Sequence, residues 1–255
     1  MARIFLAAAH PVGLKSTPDE VLPFPRFSPY TAAMRSVLKQ NLRQNLGQSL
    51  RTFPWAQQII CFLPLCILLV LLALVFGTGN EIAGEFQRIR AGYPDLTAAM
   101  RIFSSGTQYV FYAVWLGLFL YGLRAGNRPL ARRALYFFCV QFIFAFVLAR
   151  VVKVSFGLPR PYATLEGAVA TPFTLDSDHH SFPSGHTSTD SLSAACTAAF
   201  WRSLLPALLL GFILAGIGFS RIYLGMHHIF DISGGLVIGV LGNFCFHYLC
   251  KRDSL

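Results

Sequence analysis

The feature that most constrains the fold is Ile59–Phe76, a run of 18 residues without a charged side chain. A helix of about 20 apolar residues crosses a hydrocarbon core of ~30 Å. The run therefore predicts a transmembrane helix rather than the core helix of a soluble domain. About fifty polar or mixed residues precede it, and it lacks a small-residue cleavage pattern, so it is not predicted to be a cleaved signal.

Five further apolar segments extend this pattern along the chain. Only 13% of the residues are charged, whereas a soluble domain has about 25%. We therefore predict an all-α polytopic membrane protein with six transmembrane helices. The five further segments are Val110–Leu123, Ala134–Ala149, Thr187–Phe200, Leu204–Phe219 and Ile232–Leu249.

The distribution of charge predicts the orientation of these helices. The net charge is +10, and with a cytoplasmic N-terminus 14 of the 21 basic residues fall in segments on the inner side. An excess of Lys and Arg in cytoplasmic segments is the usual sign of orientation, so both termini are predicted to be cytoplasmic. The positive charge then serves topology and contact with membrane lipids, and no nucleic-acid partner is predicted.

Residues 1–54 are predicted to form a cytoplasmic tail and an amphipathic helix, and residues 55–255 the membrane domain. The helix is indicated by apolar residues with a four-residue spacing: Met34, Leu38, Leu42, Leu46 and Leu50. Such a stripe fits a helix lying on the inner leaflet, but a soluble packing helix fits it equally well.

Three short motifs carry the chemistry of the chain. They are Lys153 to Pro161 after the third span, Phe182 to His186 before the fourth, and Ser220 to Asp231 between the fifth and sixth. Counted from a cytoplasmic start, the connections after the third and fifth spans are outside. The motifs are therefore predicted to share one side of the membrane.

Five residues of these motifs suit a bound phosphate. Lys153, Arg160 and Arg221 are cations at the rim of the bilayer, where a charge needs water, a partner or a ligand. Ser184 and Gly185 open a predicted helix, whose first amide groups favour an anion. Together these residues predict a cradle for a phosphate and for the charge that develops during its transfer.

Two histidines and a carboxylate complete the predicted site. His227 and Asp231 are four residues apart, so they share a helical face, and the carboxylate can orient the ring with Nε2 free as a nucleophile. His186 can donate a proton to the leaving oxygen. Water would then hydrolyse the phosphohistidine, with His186 as the base.

On these motifs the chain resembles the type 2 phosphatidic acid phosphatase superfamily, which includes vanadium haloperoxidases and soluble bacterial acid phosphatases. The resemblance covers about Ile59 to Leu249, and every spacing within each motif is kept. It implies a phosphatase-type helical core and a phosphohistidine mechanism without metal or cofactor. In that mechanism His227 is the nucleophile, Asp231 its partner and His186 the acid. The phosphate would be held by Lys153, Arg160, Ser184, Gly185 and Arg221.

The expected function is hydrolysis of a phosphate monoester or pyrophosphate on a lipid. Candidate substrates are undecaprenyl diphosphate, phosphatidylglycerol phosphate, phosphatidic acid and lipid A phosphates. The expected location is a bacterial inner membrane with the site facing the periplasm, and no obligate protein partner is evident. A lipid phosphotransferase using the same intermediate is the alternative, and a non-catalytic anion or lipid transporter is a more distant one.

Two further acidic features need a role. Asp176 to His180 resembles a metal site in composition, but its residues are crowded, so we predict a polar lid rather than a metal centre. Asp190 follows His186 by four residues, an offset that places both on one helical face. It is predicted to modulate His186 through a hydrogen bond, directly or through water. An ion pair with Arg150 and hydrogen bonds to nearby hydroxyls are the alternatives.

Overall fold

A computed structural model of the chain describes Gln40, residues 53–201 and residues 203–252. The predicted amphipathic helix, residues 31–53, lies outside the described residues except at Gln40 and Phe53. The N-terminal helix and tail therefore stay predictions.

All regular secondary structure in the described residues is helical, without a strand, which confirms the predicted all-α class. The helix Arg128–Val140 continues through a π-helical segment, Gln141–Leu148, into the helix Ala149–Phe156. A 3₁₀ turn at Ser177–His179 interrupts the long connection before the helix Gly185–Trp201. The α-helices are α1 Trp55–Phe76, α2 Asn80–Gly92, α3 Pro94–Arg124, α4 Arg128–Val140, α5 Ala149–Phe156, α6 Pro161–Leu165, α7 Gly185–Trp201, α8 Leu204–Tyr223 and α9 Ile229–Arg252.

Four helical stretches in the described part of the chain are long and apolar enough to cross a membrane. They are α1, the stretch Arg128–Leu165, α8 and α9. The other two predicted spans lie in helices α3 and α7, but α7 has only 17 residues. That length is short for a span of about 20 residues, so the count of six stays a prediction.

The outer surface of these helices is apolar. Leu74 on α1 is 78% exposed, Phe212 on α8 is 61% exposed, and Ile143 in the π-helical segment is 53% exposed. A soluble monomer rarely exposes such a continuous apolar surface, whereas contact with lipid tails stabilises it. The chain is therefore an integral membrane protein.

Helix α7 lies at the centre of the bundle and packs against α1, α8 and α9. Its residues are buried without interruption from Thr187 to Cys196. Most are small, and small residues allow helices in a membrane to approach closely. The approach of α9 is so close that a Cβ on its Gly239 would overlap the hydroxyl of Ser191. Nearer the helix starts, a Cβ on Gly235 would lie 2.7 Å from the carbonyl oxygen of Ser184, so the start of α7 lies beside the start of α9.

A buried amide anchors the π-helical segment to α7. The Nε2 of Gln141, which is 4% exposed, donates to the carbonyl of Thr189 at 3.0 Å and to the Oγ of Ser193 at 2.6 Å. A π-helical segment shifts the register of the helix that follows it, and such segments occur often near functional sites. Here the helix that follows is α5, which carries Lys153.

Candidate active site

The first motif turns back on itself at Gly157, which ends α5. Gly157 has φ 54°, and its amide donates to the carbonyl of Lys153 at 2.9 Å. Glycine adopts this left-handed conformation without steric cost. A Cβ at Gly157 would also overlap the carbonyl of Thr171. Both the conformation and the space therefore require glycine where the chain reverses between Lys153 and Arg160.

The segment 177–181 holds the two cations of this motif by its backbone carbonyls. Lys153 Nζ donates to the carbonyl of His180 at 2.8 Å and to that of Ser181 at 3.4 Å. Arg160 Nε donates to the carbonyl of Ser177 at 3.0 Å. Arg160 Nη1 lies 3.6 Å from the sulfur of Met226, next to His227. The first motif is thereby joined to the third.

The acidic and histidine side chains of residues 176–180 have separate partners. Asp176 contacts His179 at 3.0 Å, Asp178 accepts from the hydroxyl of Tyr162, and His180 Nδ1 lies 3.1 Å from Arg150 Nη1. Within residues 53–201 and 203–252 no three His, Cys, Asp or Glu side chains form a group that could hold a metal ion. The role of this segment as a lid stays a prediction.

The second motif begins helix α7 against the first turn of α9. The buried Ser184 donates its amide to the carbonyl of Asp231 at 2.9 Å, and its Oγ accepts from the amide of Thr187 at 3.3 Å. The serine is thus the N-cap of α7. A Cβ on Gly185 would lie 3.9 Å from Cε of Lys153. The start of α7 therefore lies beside the cation of the first motif.

The third motif brings His227 and Asp231 together, as their spacing predicts. His227 Nδ1 and Asp231 Oδ2 are 3.6 Å apart, and the two side chains are 4% and 2% exposed. This distance is longer than a hydrogen bond, and Nδ1 has no hydrogen-bond partner. The Oδ2 atom instead accepts from the amide of His228 at 2.7 Å and from the hydroxyl of Ser181.

Arg221 reaches the site from the end of α8. Its side chain is buried, its Nη1 donates to the Oγ of Ser104 at 3.4 Å, and its Nε has no hydrogen-bond partner. A guanidinium with unused donors in a buried position suits an anionic ligand.

Burial and charge keep both histidines of the site neutral near pH 7. Burial lowers the pKa of His227 to about 4, with Lys153 and Arg221 adding to the shift and Asp231 opposing it. His186 lies just before the predicted span Thr187–Phe200. Burial is the largest of the effects that lower the pKa of His186 to about 3. Electrostatic interactions with Arg221, His227, Lys153 and Arg160 add to it. A neutral His227 is a competent nucleophile. A neutral His186, in contrast, has no proton to donate to a leaving oxygen until a bound anion favours its protonated form.

Asp190 lies in the core of α7, but its predicted direct hydrogen bond to His186 is wrong. The residue is fully buried, and neither carboxylate oxygen has a hydrogen-bond partner. The proposed bonds to hydroxyl groups are therefore absent too, and Arg150 contacts His180 instead. Arg221 is the cation whose charge acts on this carboxylate. A link to His186 through water stays a prediction.

Two contacts of the site were missed from the sequence. Ser181 donates to Asp231 although 50 residues separate them, and Ser104 accepts from Arg221 across 117 residues. The only sequence feature that pointed to Ser181 is its position directly before the second motif. Ser104 lies before the predicted span Val110–Leu123 and outside all three motifs, so nothing in the sequence indicated its contact.

Comparison with known proteins agrees with the resemblance seen in the motifs. Residues 134–253 match the PAP2 superfamily. The lipid A 1-phosphatase of Rhizobium johnstonii is 31% identical over 161 residues, which cover 60% of this chain and 54% of that protein. The undecaprenyl-diphosphatase BcrC of Bacillus subtilis is 27% identical over 139 residues, covering 54% of this chain and 64% of that protein. The chain thus spans less than two thirds of either relative. No solved structure gives a significant match.

Proposed function

We propose that this chain is a membrane lipid phosphatase of the PAP2 superfamily, which its residues 134–253 match, and that it works through a phosphohistidine. The observation that carries the proposal is the position of His227. Its ring is buried, neutral and 3.6 Å from the Asp231 carboxylate, and Lys153 and Arg221 act on it from other helices. A nucleophile for a phosphate needs this combination of a free imidazole and surrounding positive charge.

In the first step His227 Nε2 attacks phosphorus, and the bond from phosphorus to the leaving oxygen breaks. The ring becomes cationic, and Asp231 stabilises that charge. Lys153, Arg160 and Arg221 balance the negative charge of the phosphate oxygens. Ser184 and the amide groups at the start of α7 donate hydrogen bonds to the same oxygens. In the second step water attacks the phosphorus, His186 accepts its proton, and His227 is released.

His186 acts as the acid in the first step only if it is protonated. Burial, with the surrounding cations adding to its effect, lowers the pKa of His186 to about 3. A bound phosphate dianion opposes those cations and favours the imidazolium, because an opposite charge stabilises the charged form. The substrate therefore brings about the protonation state that its own cleavage needs.

We propose lipid A phosphates and undecaprenyl diphosphate as the first substrates to test, because the names of the two relatives mention them. Phosphatidylglycerol phosphate and phosphatidic acid follow. A transferase that passes the phosphate to a second hydroxyl would use the same residues. A non-catalytic transporter would need the cations but not the two histidines and Asp231 together.

We propose a bacterial inner membrane as the location, because both relatives are bacterial. The positive-inside pattern supports an orientation with both termini in the cytoplasm and the site facing the periplasm. Lys153, His186 and His227 lie at helix ends, the first two at α5 and α7 and the third just before α9. Sites at helix ends are accessible to a lipid headgroup at the membrane surface.

The test is phosphate release from these four lipids by the pure protein in detergent, with and without EDTA. We expect release from at least one lipid, no loss with EDTA, and no turnover by His227→Ala. His228→Ala is the matched control, because it removes the neighbouring imidazole but keeps the amide that donates to Asp231. Substantial turnover by His227→Ala would refute the nucleophile. Loss with EDTA and rescue by a divalent ion would refute metal independence.

A further inference from the structure

Ser181 is a fully buried serine between the segment 177–180 and the second motif. Its amide donates to the carbonyl of Leu158 at 3.0 Å, and its carbonyl accepts from Lys153 Nζ at 3.4 Å. Its hydroxyl donates to Asp231 Oδ2. The backbone of Ser181 therefore contacts the first motif, and its side chain contacts the third.

The Oδ2 atom of Asp231 is crowded. It accepts from the hydroxyl of Ser181 and from the amide of His228 at 2.7 Å, while His227 Nδ1 remains at 3.6 Å. A carboxylate oxygen has about two lone-pair sites, and these two donors fill them. The same two donors fix the direction of the carboxylate. His227 Nδ1 therefore faces Asp231 Oδ2 but forms no hydrogen bond to it.

We propose that Ser181 is a positioning residue for the nucleophile, whose hydroxyl both orients the Asp231 carboxylate and limits its interaction with His227. The proposal rests on the role of His227 in the proposed function. With the hydroxyl present, part of the negative charge on Oδ2 is already balanced, so the free ring stays neutral and nucleophilic. When His227 becomes cationic on phosphorylation, the oriented carboxylate is already in place.

Loss of this hydroxyl has a predictable direction. Oδ2 then has a free lone-pair site for Nδ1–H of His227, and a hydrogen bond to the charged ring stabilises the imidazolium. The pKa of His227 should rise. The cations that face this pair from other helices are Lys153 on α5 and Arg221 on α8, and the titratable group is His186 on α7. The substitution changes none of them.

The variant Ser181→Ala isolates the hydroxyl, because it keeps the amide and the carbonyl that contact Leu158 and Lys153. We expect kcat to fall roughly 10- to 100-fold, as expected when a hydrogen bond to a charged group is lost, with KM little changed. We expect the acid limb of the pH–rate profile to move up by about one pH unit. Ser181→Thr keeps a hydroxyl and should recover the position of the limb.

The matched control is Ser191→Ala, another buried serine, whose hydroxyl donates to the carbonyl of Ser188 at 3.3 Å, away from the catalytic groups. It should leave the limb unchanged. If Ser181→Ala lowers kcat but its acid limb stays where that of Ser191→Ala lies, Ser181 is only structural and the proposal is refuted. If Ser181→Ala does not fold, Ser181→Cys, with a weaker donor, is judged by the same limb.

A second measurement separates this proposal from the proposed function. The protein is labelled with ¹⁵N-histidine, and the His227 signal is assigned by its loss in His227→Ala. Its titration without substrate should shift to higher pH in Ser181→Ala and not in Ser191→Ala. This titration needs no turnover, so it tests how Ser181 affects the interaction between Asp231 and His227 even if His227 proves not to be the nucleophile. An unshifted titration refutes the role of Ser181.

Discussion

The substitution Asp231→Asn tests how much of the catalytic rate depends on one buried negative charge. Asparagine has nearly the same shape, and its Oδ1 can still accept from the amide of His228 and the hydroxyl of Ser181. The packing at the start of α9 is therefore kept. What is lost is the charge that faces His227, whose ring becomes cationic in the proposed mechanism when Nε2 bonds to phosphorus.

The distance sets the size of the effect. Two unit charges 3.6 Å apart interact by about 4 to 5 kcal/mol at an effective dielectric constant of about 20. Solvent screens little of this, because the two side chains are 4% and 2% exposed. The ring is only partly charged in the transition state, and the amide dipole retains some attraction. We therefore expect kcat to fall roughly a hundred- to a thousandfold.

The assay is steady-state phosphate release with saturating lipid in detergent, combined with thermal unfolding to verify the fold. The matched control is Asp176→Asn, which neutralises an exposed carboxylate that contacts His179. It should retain turnover. A loss of less than about tenfold in folded Asp231→Asn would refute the argument, since the charge at this distance would then not act on the reacting ring.

Two further predictions concern pH. The pKa of His227 is lowered to about 4, so its neutral form persists as pH falls and is lost only below that value. The acid limb of kcat/KM, which reports the free enzyme, should therefore lie near pH 4, and a limb near 6.5 would contradict the burial argument. Asp190→Asn should leave the alkaline limb in place, because Asp190 makes no hydrogen bond to His186, and a shift to lower pH would revive the link through water.

The sequence predicted those parts of the protein that depend on local periodicity. The uncharged run at Ile59–Phe76 lies within α1, and the offset of four between His227 and Asp231 gives a 3.6 Å contact. Both follow from the repeat of a single helix. The four helical stretches that are long and apolar enough to cross a membrane were predicted for the same reason. The spans predicted in α3 and α7 have shorter apolar runs, and neither helix is among these four stretches.

The sequence did not predict contacts that depend on how helices pack. The offset between His186 and Asp190 equals that between His227 and Asp231, yet Asp190 makes no hydrogen bond. Spacing places two side chains on one face of a helix, but the neighbouring helices decide where each side chain lies. Ser181 shows the opposite case. The chain before Ser181 returns past Gly157 and brings Ser181 to Asp231 at the start of α9. No repeat in the sequence indicates that path.

The packing of α7 against α9 also determines which groups remain for a phosphate. The amide of Ser184 donates to the carbonyl of Asp231, and the amide of Thr187 donates to the Oγ of Ser184. The first amide groups of a helix have no partner within it, so those of Gly185 and His186 remain for an anion. Ser184 Oγ already accepts from the amide and hydroxyl of Thr187, which directs its own proton outward as a donor. The close contact of the two helices thus leaves two amide groups and one hydroxyl beside Lys153, where the proposed mechanism places the phosphate.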